Sequence, residues 1–360
     1  MLYHLRGLFF VDFPYIADKS ILVSGLYAVT GYGHQAVMIF FVLSGYFIGT
    51  SVMDSVSARR WSWRTYLVSR LTRLQLVLFP ALVLGGLCDR IGMKIPQATP
   101  IYFDALYKFY IPSVALRSTI PVLLGNLFFL QGIVSPVFGS NTPLWSLSYE
   151  FWYYILFPVL ILATARWIGI RSTIFYASLA LFLAWFLGAQ ICFYFLIWLG
   201  GALLGRLQRS PRFKPSLPGF SFWSGLMFFG ALAWTRTHRL SSDLRSDYII
   251  AFCFALWLYA LLLGSREDAS PSYMYGARKL AGFSYTLYLL HLPALILLRG
   301  VLDPLGNWQP DILHLAYALG IGLFIMAYAY WVAKFTEGNT ANVRRFVLQF
   351  VNPVQGEIQS

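Results

Sequence analysis

Pro143-Leu-Trp-Ser-Leu-Ser-Tyr-Glu-Phe-Trp-Tyr-Tyr-Ile-Leu-Phe-Pro158 sets a carboxylate, Glu150, inside a run of aromatic and aliphatic residues long enough to enter a bilayer. A charged side chain at that depth costs about 2.5 to 3.5 kcal/mol even on the insertion scale. An acidic residue there is a functional candidate whose partners have to be found elsewhere in the chain. Two tasks suit it: holding a cation that forms during a reaction, or binding hydroxyl groups.

Outward from this stretch the composition keeps the same character. Hydrophobic residues make up 58% of the chain and charged ones 11%, against about 25% charged in a soluble domain. The chain reads as an all-α, polytopic membrane protein with about ten spans. Apolar runs fall at 36–53, 74–91, 145–164, 173–188, 191–205, 219–234, 248–264, 282–299 and 315–334, each near the 17 to 25 residues that cross a hydrocarbon core. A weaker stretch, Ile120 to Val134, contains Pro121, Gly125 and Asn126 and predicts a re-entrant or interfacial piece. The apolar residues around His4 to Phe13 look like the second half of a first span truncated at its start. Residues 1–340 form one membrane domain and 341–360 a short cytoplasmic tail.

Lys and Arg crowd into alternate loops: Arg59, Arg60, Arg64, Arg70, Arg73, Arg206, Arg209, Arg212, Lys214, Arg344 and Arg345 belong to the richer set. The positive-inside rule then makes that set cytoplasmic and turns both termini inward. The net charge of +13 is therefore mostly topology, with membrane lipids as its partner, and a nucleic-acid role is not supported. Cys88, Cys192 and Cys253 stand far apart without metal-ligand spacing, so neither a disulfide framework nor a metal site is expected.

Several polar residues stand within spans. His4 is a candidate general base or a helix-packing histidine. Arg70 and Arg73, three residues apart, share a helix face at the cytoplasmic edge; they suit phosphate recognition or serve as topological anchors. Ser44 and Gly45 let another helix approach closely. His34 lies at the outer mouth of the same span. Tyr288 and His291 share one face of a later span, as a structural hydrogen bond or as a polar wall of a substrate channel. His238 and His314 read as outer-loop residues without a signal.

Taken together, His4-Leu-Arg-Gly-Leu, Ala36-Val-Met-Ile-Phe-Phe-Val-Leu-Ser-Gly-Tyr-Phe-Ile48, Ser69-Arg-Leu-Thr-Arg73, the Pro143–Pro158 stretch and Phe283-Ser-Tyr-Thr-Leu-Tyr-Leu-Leu-His291 resemble acyltransferase family 3, the bacterial multi-spanning membrane O-acyltransferases. The resemblance implies a ten-helix enzyme of the bacterial inner membrane. It would take an acyl group, usually acetyl, from acetyl-CoA or another acyl-CoA and place it on a hydroxyl of a glycan or glycolipid. His4 matches the family's essential first-span histidine, whose partner arginine would fall upstream of Met1. Arg70 and Arg73 match its Arg-x-x-Arg pair, thought to engage the CoA end, and Glu150 matches its carboxylate. His4 and Glu150 are thus expected to be catalytic, Arg70 and Arg73 to bind the donor, and His34, Tyr288 and His291 to contact substrate. The competing class is a transporter or flippase for a lipid-linked glycan, with Glu150 and His291 as proton-relay or substrate sites; a packing subunit without an active site is the third.

Overall fold

The computed structural model describes residues 1–103, 114–210, 218–237, 243–264, 271–302 and 307–351. In chain order the helices are α1 (Leu2–Phe9), α2 (Ile21–Val29), α3 (Gly33–Ser44), α4 (Thr50–Ser57), α5 (Trp63–Gly92), α6 (Thr99–Phe103), α7 (Val114–Arg117), α8 (Ile120–Leu127), α9 (Leu144–Ala163), α10 (Ile170–Gln208), α11 (Phe220–Thr237), α12 (Leu244–Gly264), α13 (Pro271–Leu302), α14 (Ile312–Phe335) and α15 (Thr340–Val351). An apolar solvent leaves a spanning backbone no partner but itself, and helices satisfy it internally. Seven helical stretches are long and apolar enough to cross a membrane.

These helices fall on the expected spans. The run α3 to α4 is continuous through a π-helical turn at Gly45–Gly49. The 39 residues of α10 would measure about 58 Å as a straight rod, roughly twice a hydrocarbon core. Gly188, at φ 76° and ψ 167°, breaks the rod in two, matching the two expected crossings. The Ile120–Val134 stretch holds only the eight residues of α8 and then a looped turn, far short of a crossing. His314 is in the first turn of α14 rather than in a loop. There its N–H and ring hydrogen-bond to the helix-capping Asp311 at 2.9 and 2.7 Å and hold that carboxyl below its ordinary value. His238 lies outside the described residues. The start of the expected tail is helical, as α15.

The chain divides into two compact units, Met1–Gly31, Ser62–Ser148 and Ser270–Ser360 in the first, Tyr32–Trp61 and Tyr149–Ala269 in the second. In the first unit α13 packs against α5 and α14, and α15 lies along α5. Leu5, Leu8 and Phe9 of α1 are buried at i, i+3 and i+4 against Leu292, Leu295 and Ile296 of α13 and Ile321 and Ile325 of α14. The end of α1 is stitched down by backbone bonds: Val11 N–H donates to Trp308 O (3.1 Å), and Trp308 N–H to Phe9 O (2.8 Å). α5 and α13 run in the same direction, since Tyr285 Oη reaches Leu74 O at 3.4 Å and Gly85 lies against the Pro293 ring further along.

The second unit is held by close approach of α3 and α10. A Cβ on Gly45 would stand 1.9 Å from Trp198 O, and one on Gly201 1.9 Å from Val42 O, so only glycine lets these backbones meet. An aromatic cluster of Phe41, Tyr149, Tyr153, Tyr194, Phe195 and Trp198 fills the space beside them.

Candidate functional site

In the first unit, two residues flagged separately in the sequence meet. His4 Nδ1 and His291 Nε2 are 2.8 Å apart, with ring centroids 5.1 Å apart and planes inclined by 20°. His291 is 1% exposed. Its Nδ1 faces the carbonyl oxygens of Leu287 (3.0 Å) and Tyr288 (2.9 Å) in the preceding turn of α13. Tyr3 stands edge-on to the His4 ring, 5.2 Å between centroids.

The surrounding chain explains how His291 is held. Pro293 has no N–H, which leaves Leu289 O without its helical donor. Asn141 Nδ2 donates to that oxygen at 2.8 Å. The Tyr288 hydroxyl is 2.7 Å from Ser146 Oγ and donates to Pro143 O at 3.1 Å. Tyr288 therefore braces the start of α9 against α13, and its ring stands 6.1 Å from that of His291. Asp89, buried in α5, fastens the same loop. It accepts from Ser140 N–H (2.8 Å) and Ser140 Oγ (2.6 Å), while Gly139 turns with φ 56°, where a Cβ would strike the carboxylate.

Arg70 and Arg73 lie one turn apart near the start of α5. The Arg70 guanidinium is half-buried over the Tyr66 ring, 5.5 Å from its centroid, the geometry of a cation–π contact. Arg73 is exposed, and its charge acts on Glu337. The Glu337 carboxylate accepts from Thr286 N–H (3.2 Å) and Oγ1 (3.0 Å) on α13. Twelve residues separate Arg73 from Gly85, the residue packed on Pro293, so about 18 Å of helix axis lies between the guanidiniums and the level of His291.

In the second unit Glu150 is 6% exposed. It accepts hydrogen bonds from Tyr154 Oη and from Ser44 Oγ (3.4 Å), and Ser44 in turn accepts from Trp198 Nε1 at 3.1 Å. The buried carboxylate is thus ringed by hydroxyl donors, the condition under which burial is tolerated. His34 stands elsewhere in this unit. Its Nε2 is 2.9 Å from Asp247 Oδ2, to which Tyr194 Oη also donates at 2.7 Å. Asp247 is fully buried and had escaped the sequence reading because it sits one residue before the expected span at 248. Asp89 escaped it for another reason: only its partner Ser140, 51 residues away, reveals its role. Among the described residues no group of three or more His, Cys, Asp or Glu is placed to hold a metal ion.

The first unit therefore brings His4, His291 and Tyr288 to one place, with Arg70 and Arg73 on the same bundle; Glu150 and His34 occupy separate hydrogen-bonded clusters of the second. Neither the curated proteins nor the solved structures hold a match to this chain. The sequence model of a family described as an acyltransferase domain, Acyl_transf_3, matches residues 1–332, and the chain belongs to that family.

Proposed function

We propose that this membrane acyltransferase moves an acyl group, acetyl in the simplest case, from cytoplasmic acyl-CoA to a hydroxyl of a cell-surface or exported glycan or glycolipid. The observation that carries the reading is the imidazole pair of His4 and His291 inside the first unit, on the same helix bundle as the two arginines. CoA phosphates dock on Arg70 and Arg73 by charge-assisted hydrogen bonds. The pantetheine arm then spans the helix length between those guanidiniums and His4. His4 removes the proton of the acceptor hydroxyl as its oxygen attacks the thioester carbonyl; the C–O bond forms, the C–S bond breaks, and the proton passes from His4 to the departing thiolate. Glu150 and His34 are the acceptor-facing candidates, each with the chemistry that exchanges hydrogen bonds with sugar hydroxyls. The protein would lie in the inner membrane with both termini in the cytoplasm, as the basic loops require.

The purified protein in lipid nanodiscs, given acetyl-CoA and an acceptor glycan, should release free CoA thiol. His4→Ala should slow that release about 100-fold to 10,000-fold, the contribution of a placed general base. Thiol release unchanged in His4→Ala, or indifference to acetyl-CoA as a flippase would show, defeats the proposal. Mass spectrometry of surface glycans with and without the gene identifies the acceptor by a missing acetyl increment.

A further inference from the structure

We propose that His291 is a positioning residue that fixes the tautomer of His4 and so decides which of its nitrogens meets the acceptor. The inference rests on the reading of His4 as general base and extends it to a residue that touches neither substrate. The hydrogen bonds permit one assignment of protons. Carbonyl oxygens only accept, so the Nδ1 of His291, facing Leu287 O and Tyr288 O, must carry a hydrogen. A neutral His291 then bears its lone pair on Nε2. The hydrogen shared across the 2.8 Å contact accordingly belongs to His4 Nδ1, and the lone pair of His4 is left on Nε2.

Of the four ring nitrogens, His4 Nε2 is the one that makes no hydrogen bond among the described residues. It is the atom free to take a proton. A free histidine side chain prefers the opposite tautomer, with hydrogen on Nε2, which would present a donor where the reaction needs an acceptor. His291 reverses that preference. It can do so because its own ring is locked: the residue is buried, α13 supplies both carbonyls, and Asn141 and Tyr288 brace the same turn from the chain before α9. When His4 becomes an imidazolium, its Nδ1–H bond to His291 turns charge-assisted and strengthens. An orienting group behind a catalytic imidazole is elsewhere worth several orders of magnitude through the tautomer alone.

The test uses the intact protein in nanodiscs, labelled with 15N in its histidine rings and assigned by replacing the histidines singly. The expected wild-type spectrum shows His4 protonated on Nδ1 and bare on Nε2. His291→Leu should shift His4 toward the Nε2–H form and lower kcat about 100-fold or more without changing KM for acetyl-CoA. His291→Gln, whose side-chain oxygen can accept in place of Nε2, should restore the tautomer and recover kcat to within about tenfold of wild type. A wild-type His4 carrying its hydrogen on Nε2 overturns the inference without any variant needing to fold. So does a folded His291→Leu with tautomer and kcat unchanged. The failure of the underlying reading looks different: His4→Ala would keep full transfer while the wild-type spectrum still showed the Nδ1–H form.

Discussion

Replacing Glu337 with Gln should make this protein bind its donor more tightly. Arg73 is exposed and its charge is partly spent on Glu337, so a CoA phosphate must compete with that carboxylate. An exposed ion pair is worth about 0.5 to 1 kcal/mol, and its removal corresponds to a gain of about twofold to fivefold in affinity. Gln keeps an oxygen for the Thr286 N–H and hydroxyl, so the tie to α13 survives. Arg70→Ala and Arg73→Ala should act in the opposite direction. Hydrogen bonds to charged groups contribute about 1.5 to 3 kcal/mol, and Arg70, half-buried over Tyr66, should lose most of that, about 10-fold to 140-fold. Arg73→Ala should cost less, because its guanidinium has Glu337 to leave before it reaches phosphate. Calorimetric titration of CoA gives the affinities directly, and thiol-release kinetics test whether kcat stays constant. Weaker binding in Glu337→Gln, or arginine variants that lose kcat with affinity intact, would refute the placement of the donor phosphates.

Three further expectations concern the scaffold. Asn141→Leu leaves Leu289 O without a donor and should cost about 1 to 3 kcal/mol of stability; adding Pro293→Ala returns a helical N–H to that carbonyl, so the double variant should be more stable than the sum of the singles by about 0.5 to 3 kcal/mol, and strict additivity in thermal unfolding would sink the explanation. Gly45→Ala gains about 1 kcal/mol of helix propensity but drives a methyl into Trp198 O; the midpoint of thermal unfolding in detergent should fall, and a rise would show that α3 and α10 do not meet as described. Ser44→Ala removes the acceptor of the Trp198 indole N–H, a buried donor whose loss of partner costs about 1 to 3 kcal/mol; an unchanged midpoint would mean that water reaches the group.

The membrane-crossing helices were legible because a bilayer asks for a simple thing, some twenty apolar residues in a row, and chain segments such as Leu244–Gly264 supply it in the open. The interruption at Gly188 was legible too, from the excess of length. The candidate site was legible only as separate letters. His4 and His291 each stood out as an imidazole among apolar neighbours, yet their contact joins positions 287 residues apart, and periodicity carries no information on pairs so remote. Asp247 and Asp89 were hidden by their position at the very ends of apolar runs, where a carboxylate reads as the edge of a loop. The helix α15 was hidden for a different reason: its alternation of Arg344, Arg345 and Gln349 with Phe346 and Phe350 is too polar to register as a span, and it makes sense only beside α5.

Gly188 also bears on how the chain enters the membrane. From Ser172 to Gly205 there is no Lys, Arg, Asp or Glu, so the reversal at the middle of α10 carries none of the charges by which an insertion machinery tells one side from the other. The only instruction to turn back is a backbone conformation that residues with a β-carbon resist. A valine at that point would favour one unbroken rod over a hairpin, and every crossing that follows would then arrive on the wrong side. The handedness of the downstream half of this protein is therefore written in a single missing methyl group.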